Sequence, residues 1–168
     1  MKLQFGYLSP KDLVTLASAA SAVASMIFSL RAEYALAAGA VALSALLDFA
    51  DGIVARASRE GGDEFGKQLD SLADIVAFGA APVVIVLSQG ISFLSGLAAS
   101  VFVLAGVIRL ARFNLQVEKG VFFGLPIPVA GLLVAVTAVF AHYLAVAVML
   151  LAGLAMVSNV RIEKISLK

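Results

Sequence analysis

Asp48-Phe49-Ala50-Asp51-Gly52-Ile53-Val54-Ala55-Arg56 is followed, nine residues later, by Gly66-Lys67-Gln68-Leu69-Asp70-Ser71-Leu72-Ala73-Asp74. Four aspartates stand here in two pairs, one spaced i, i+3 and the other i, i+4. The flanking sequence is apolar enough to lie in a membrane. A carboxylate in hydrocarbon costs at least ~2.5 kcal/mol even on lenient insertion scales, so four of them require something that neutralises them.

The rest of the chain supports the membrane reading. It has 168 residues, 62% of them hydrophobic, with a mean hydropathy of +1.05. Soluble domains run at roughly 45–50% apolar. Cysteine is absent, which excludes disulfides and thiolate chemistry. The polar N-terminus lacks an Ala-x-Ala-type cleavage site, so a retained first helix is expected and not a signal peptide.

Runs of about 20 apolar residues mark spanning helices. Six are expected, at 13–30, 34–57, 64–88, 92–113, 124–142 and 143–158, with the last division at His142 weakly marked. A polar turn is expected from Asn114 to Gly120, and Pro126 and Pro128 fall in the first turns of the fifth helix. The fold class expected is all-α and integral to the membrane, a single domain over 1–168 with six transmembrane helices in one bundle. Six spans place eleven of the twelve Lys and Arg on the side of the termini, with Arg31 alone opposite. The positive-inside rule then makes both termini cytoplasmic. Small residues such as Gly39, Ala42, Ser44 and Ala45 in the second helix, and Gly96, Ala98, Ala99 and Ser100 in the fourth, are expected at close helix packing or at a dimer interface.

At 100° per residue, Asp48, Asp51, Gly52 and Ala55 occupy about a 100° sector of one helix, and Gly66, Asp70 and Asp74 about 80° of the next. Consecutive antiparallel helices can turn both sectors into one cavity. Asp48 lies eight residues from Arg56, or ~12 Å, so the cavity is close to the cytoplasmic surface. Clustered carboxylates take up protons or cations. With no Cys and no nearby His, hard divalent cations suit the donor set. Two cations bridged by aspartates would clamp a phosphoryl group. Gly52, Ala55 and Gly66 leave room for a ligand against the backbone, and Arg56 and Lys67 stand at the mouth with charge suited to phosphate. A pyrophosphate site with metals is one reading of this set, and a carboxylate-lined ion or proton pathway is the other.

The pattern Asp48-x2-Asp51-Gly52-x2-Ala55-Arg56-x9-Gly66-x3-Asp70-x3-Asp74 resembles the signature of the CDP-alcohol phosphotransferases. Leu69–Asp74, Phe78-Gly79-x-Ala81-Pro82, Arg109–Asn114 and Gly124-Leu125-Pro126-Ile127-Pro128 are similar to the phosphatidylserine (or archaetidylserine) synthase branch. Ala77 stands where that branch usually has Ser, and Thr15-x-x-Ser18 where it tends to have Thr-x-x-Asn. The resemblance implies a six-helix membrane enzyme, commonly a homodimer. It would transfer a phosphatidyl-type group from CDP-diacylglycerol or CDP-archaeol to L-serine, releasing CMP.

It further implies two Mg²⁺ or Mn²⁺ ions on Asp48, Asp51, Asp70 and Asp74. Arg56 would meet the pyrophosphate, and Asp51, Gly52, Ala55 and Gly66 would line the nucleotide pocket. Asp74 would be the general base, with Asp70 beside it. Arg109, Arg112 and Asn114 are candidates for the serine carboxylate or a lipid phosphate, although Arg109 and Arg112 also suit simple interfacial anchors. Lys2, Lys11, Arg161, Lys164 and Lys168 are expected to meet solvent or lipid headgroups, and His142 to lie near the opposite face. The same chemistry with glycerol phosphate or inositol phosphate as acceptor stays open, as does a cation transporter. Membrane lipids are expected partners and nucleic acid is not.

Overall fold

The computed structural model describes residues 9–57, 64–115, 121–158 and 161–163, with the side chains of 10, 51–57, 121–123 and 161–163 outside the description. Six helices follow one another: α1 (Pro10–Leu30), α2 (Tyr34–Ala57), α3 (Glu64–Gln89), α4 (Phe93–Leu115), α5 (Ile127–Phe140) and α6 (His142–Val157). Two three-residue strands, β1 (Val121–Phe123) and β2 (Arg161–Glu163), pair antiparallel. Three helices, Lys11–Leu30, Glu64–Gln89 and Phe93–Leu115, are long and apolar enough to cross a membrane. Large apolar side chains such as Leu36, Leu46, Phe93, Leu104 and Leu151 face outward, which a membrane rewards and water does not. This is a membrane protein.

Local chemistry sets the helix ends. Ser9 begins α1, and its backbone N–H and its hydroxyl both donate to Asp12 Oδ2, at 2.7 and 2.9 Å. Pro10 takes the first helical position, where a missing N–H is harmless. The break expected near His142 falls at Ala141, whose extended backbone ends α5 and begins α6. The fifth helix starts at Ile127, later than the sequence suggested, because Gly124 turns the chain at φ +73° and Pro126 caps the helix. A Cβ at Gly124 would collide with the Met156 carbonyl. The fourth helix runs on to Leu115, so Asn114 belongs to its last turn and not to a turn beyond it.

The helices alternate in direction. Ser18 and Ser44 exchange hydroxyl-to-carbonyl bonds of 3.1 and 2.9 Å, and Ser21 donates to Ala40 at 2.9 Å, so numbers rise on α1 as they fall on α2. The β1–β2 pair, with the Leu125 N–H donating to the Ala155 carbonyl, joins the start of α5 to the end of α6. The core between them holds Phe78, Ile85, Phe102, Ile127, Met149 and Met156, all fully buried.

Close helix contacts fall on glycines other than those expected. Ser44, Ala98 and Ala99 are buried, but Gly39 and Gly96 have nothing within 4 Å of where a Cβ would stand. Tight approach occurs instead at Gly131, where an added Cβ would stand 2.7 Å from the Phe78 carbonyl oxygen, and at Gly153, 3.1 Å from the Phe102 Cα. The Phe78 contact has a local cause. Residues Ile75–Ala80 of α3 form a π-helical stretch, in which the Ala81 N–H donates to the Val76 carbonyl. Pro82 follows it, with no N–H to offer the Phe78 carbonyl and a ring that crowds an ordinary helical turn. The wider turn accommodates that ring, and α5 lays Gly131 over the Phe78 carbonyl.

Candidate active site

Asp48 comes from the second half of α2, and Asp70 and Asp74 from the first half of α3. One carboxylate oxygen from each lies within 4.8 Å of the others, and all three residues are half-buried. Two unit charges 4 Å apart near a protein surface repel by about 4 kcal/mol, so three such groups favour a bound cation. Oxygen donors sit about 2.0–2.6 Å from Mg²⁺ or Ca²⁺, which puts two ligands of one ion at most about 4–5 Å apart. The three carboxylates fit that requirement. The expected fourth aspartate, Asp51, together with Gly52, Ala55 and Arg56, continues the backbone of α2, and their side chains lie outside the described ones.

The basic residues divide. Arg109 of α4 is half-buried and turned toward α3, within coulombic reach of Asp74. Its Nε is buried and has no hydrogen-bond partner among the described residues. Arg112 and Lys67 are exposed. Asn114 donates from Nδ2 to the Ser71 hydroxyl at 2.9 Å, tying the end of α4 to the turn of α3 between Asp70 and Asp74. His142 lies at the other end of the bundle, beside Gly90.

The structure also brings up two residues that the sequence did not single out for the site. An added Cβ at Gly66 would stand 3.2 Å from Asp12 Oδ1 and 3.4 Å from both Cε and Nζ of Lys11. The start of α1 therefore covers α3 one turn above Asp70. Asp12 is 2% exposed, an unusual burial for a carboxylate at a helix end. Ser18, at the second position of the first-helix pattern, directs its hydroxyl to the Ser44 carbonyl and so binds helix to helix.

Two helices thus bring together three carboxylates that could hold a metal ion, with the half-buried Arg109 within coulombic reach of one of them. The chain belongs to the CDP-alcohol phosphatidyltransferase family, whose model matches residues 10–158. It is an enzyme of that class.

Among its relatives is an archaetidylserine synthase of Methanothermobacter thermautotrophicus, 31% identical over 95% of this chain and 71% of that protein. A CDP-diacylglycerol–serine O-phosphatidyltransferase of Methanocaldococcus jannaschii is 40% identical over 73% of this chain and 61% of its own length. One of Helicobacter pylori is 36% identical over 92% of this chain and 71% of its own.

Proposed function

We propose that the protein transfers a phosphatidyl-type group from a CDP-linked lipid to L-serine, releasing CMP, as a single membrane domain of phospholipid biosynthesis. The observation that carries this is the convergence of Asp48, Asp70 and Asp74 beside the unpartnered Nε of Arg109. The names of the relatives support serine over glycerol phosphate or inositol phosphate as acceptor. A cation transporter has no use for the full family match.

Asp48, Asp70 and Asp74, with Asp51, would hold two Mg²⁺ or Mn²⁺ ions. When bound, these ions neutralise the diphosphate and stabilise charge on the transferring phosphoryl group. Arg56 and Lys67 meet that diphosphate at the mouth, and Asp51, Gly52, Ala55 and Gly66 form the nucleotide pocket. Asp74 accepts the proton of the serine hydroxyl. The serine oxygen bonds to the lipid-side phosphorus while the bond from that phosphorus to the bridging oxygen breaks. CMP leaves with that oxygen, and no covalent enzyme intermediate forms. Arg109 pairs with the serine carboxylate, where a planar guanidinium gives two parallel bonds. Asn114 holds α4 in place through Ser71, and Arg112 contacts lipid phosphate.

The helices are placed as six spans of the plasma membrane with both termini and the carboxylates toward the cytoplasm. The sorting of Lys and Arg supports this. The outward glycines Gly39 and Gly96 suit close approach by a second copy, in a homodimer. The experiment that tests the reading is CMP release in detergent with Mg²⁺ or Mn²⁺, adding each alcohol in turn. Release with CDP-lipid and serine supports it; release only with another alcohol overturns the acceptor, and none with any alcohol overturns the reaction.

A further inference from the structure

We propose that Lys11, at the start of α1, is a substrate-binding residue whose ammonium group binds the diphosphate of the CDP-linked lipid across Gly66. The inference rests on the functional reading above. Gly66, Asp70 and Asp74 share one face of α3, each about one turn, or ~6 Å, from the next. The carboxylates occupy the lower turns of that face. Over the upper turn lies Lys11, half-buried, with Cε and Nζ each 3.4 Å from where a Cβ on Gly66 would be.

A lysine anchored to lipid headgroups extends away from the bundle. This one lies along the face that carries the metal-site carboxylates. Its backbone is fixed by its neighbour: Asp12 is buried, and its Oδ2 accepts both bonds from Ser9. The backbone that carries Lys11 is thus held over this face before ligand arrives, which lowers the entropy lost on binding.

The ligand's chemistry follows from position. The serine carboxylate has its cation in Arg109, on α4 and beside Asp74. A diphosphate held at the carboxylates would extend one turn outward toward Gly66, whose missing side chain leaves the space that Lys11 and Asp12 border. Lys11 is the positive charge that borders that passage from α1. Gly66 then serves two partners at once, because any side chain there would press on Lys11 and Asp12 as well as on the ligand.

The test uses the full chain in nonionic detergent with Mg²⁺. CDP affinity is titrated calorimetrically for the parent, Lys11→Met and Lys11→Arg, and CMP release is measured with CDP-lipid and serine. Lys11→Met keeps the apolar stem and removes the charge. It should raise the Kd for CDP and the KM for CDP-lipid about tenfold, as loss of a charged hydrogen bond does, and leave the serine KM unchanged. Lys11→Arg should restore most of both.

An unchanged Kd for CDP in Lys11→Met overturns the proposal. So does a variant whose only defect is a smaller stabilisation by anionic lipid added to the detergent, since Lys11 would then be a headgroup anchor. Should Lys11→Met fail to fold, Lys11→Gln carries the same comparison. A parent that binds CDP but releases no CMP with serine breaks the functional reading alone, and the CDP titrations still decide the role of Lys11.

Discussion

Both ends of the bundle are polar, by different chemistry. At one end Gln89 donates to the Ala138 carbonyl at 2.9 Å, Tyr34 to the Ser88 carbonyl at 3.5 Å, and Ser92 and Ser95 bond to one another. These groups are neutral, and most of them satisfy carbonyls at helix ends, as any helix terminus requires; the charges at this end, Arg31 and Glu33, pair with each other at 3.3 Å. At the other end Asp48, Asp70 and Asp74 bring like charge together, and a half-buried guanidinium stands beside them. The contrast shows that polarity in a membrane protein does not by itself mark a site. Convergent charge does, because close packing of helices gives no reason for it.

Breaking the charged end should produce the largest effects. Asp74→Asn or Asp70→Asn should lower kcat for CMP release by about 10²–10⁴-fold while the protein still folds in detergent. Chelation of divalent cations should abolish turnover in the parent, and added Mg²⁺ or Mn²⁺ should restore it. Turnover that survives chelation would remove the metal from the reading. Next in size, Arg109→Lys should raise the serine KM by roughly 10–100-fold with the CDP-lipid KM unchanged, since an ammonium cannot pair with a carboxylate through two parallel bonds. Equal changes in both KM values would mean that Arg109 acts on the shared metal centre and not on serine.

The neutral regions should respond in stability. Gly131→Ala places a methyl group on the Phe78 carbonyl and should cost about 1–3 kcal/mol, read as a lower melting temperature. Gln89→Leu should cost about 1 kcal/mol through its lost bond to Ala138, with metal dependence unchanged. Smallest of all, His142→Ala should leave turnover within about twofold of the parent. A large loss of turnover in either of these last two variants would erase the distinction between the ends.

Much of this was legible in the sequence. Apolar runs of spanning length, separated by Arg31–Glu33, by the polar stretch before Glu64 and by Gly90, delimit the helices to within three residues. The aspartate spacing anticipated that Asp48, Asp70 and Asp74 meet, because a helix converts i, i+4 into one face. What stayed hidden depends on distant segments meeting. Arg109 and Arg112 differ by only about 60° around α4, too little for spacing to say which turns inward. Lys11 reads as one more surface lysine until α1 is seen to return over Gly66, 55 residues away. Pro82 hints at an irregular turn, but its accommodation by Gly131 is a property of packing. The strands β1 and β2 are three residues each, too short for any periodicity to announce them.

The two last helices carry one more consequence. α5 has 14 residues and α6 has 16, so they are about 21 and 24 Å long, against a hydrocarbon core of about 30 Å. Placed as spans, they create a hydrophobic mismatch on one flank of the molecule, which lipid relieves by thinning locally. The bilayer would then meet this protein as a slope rather than a flat sheet.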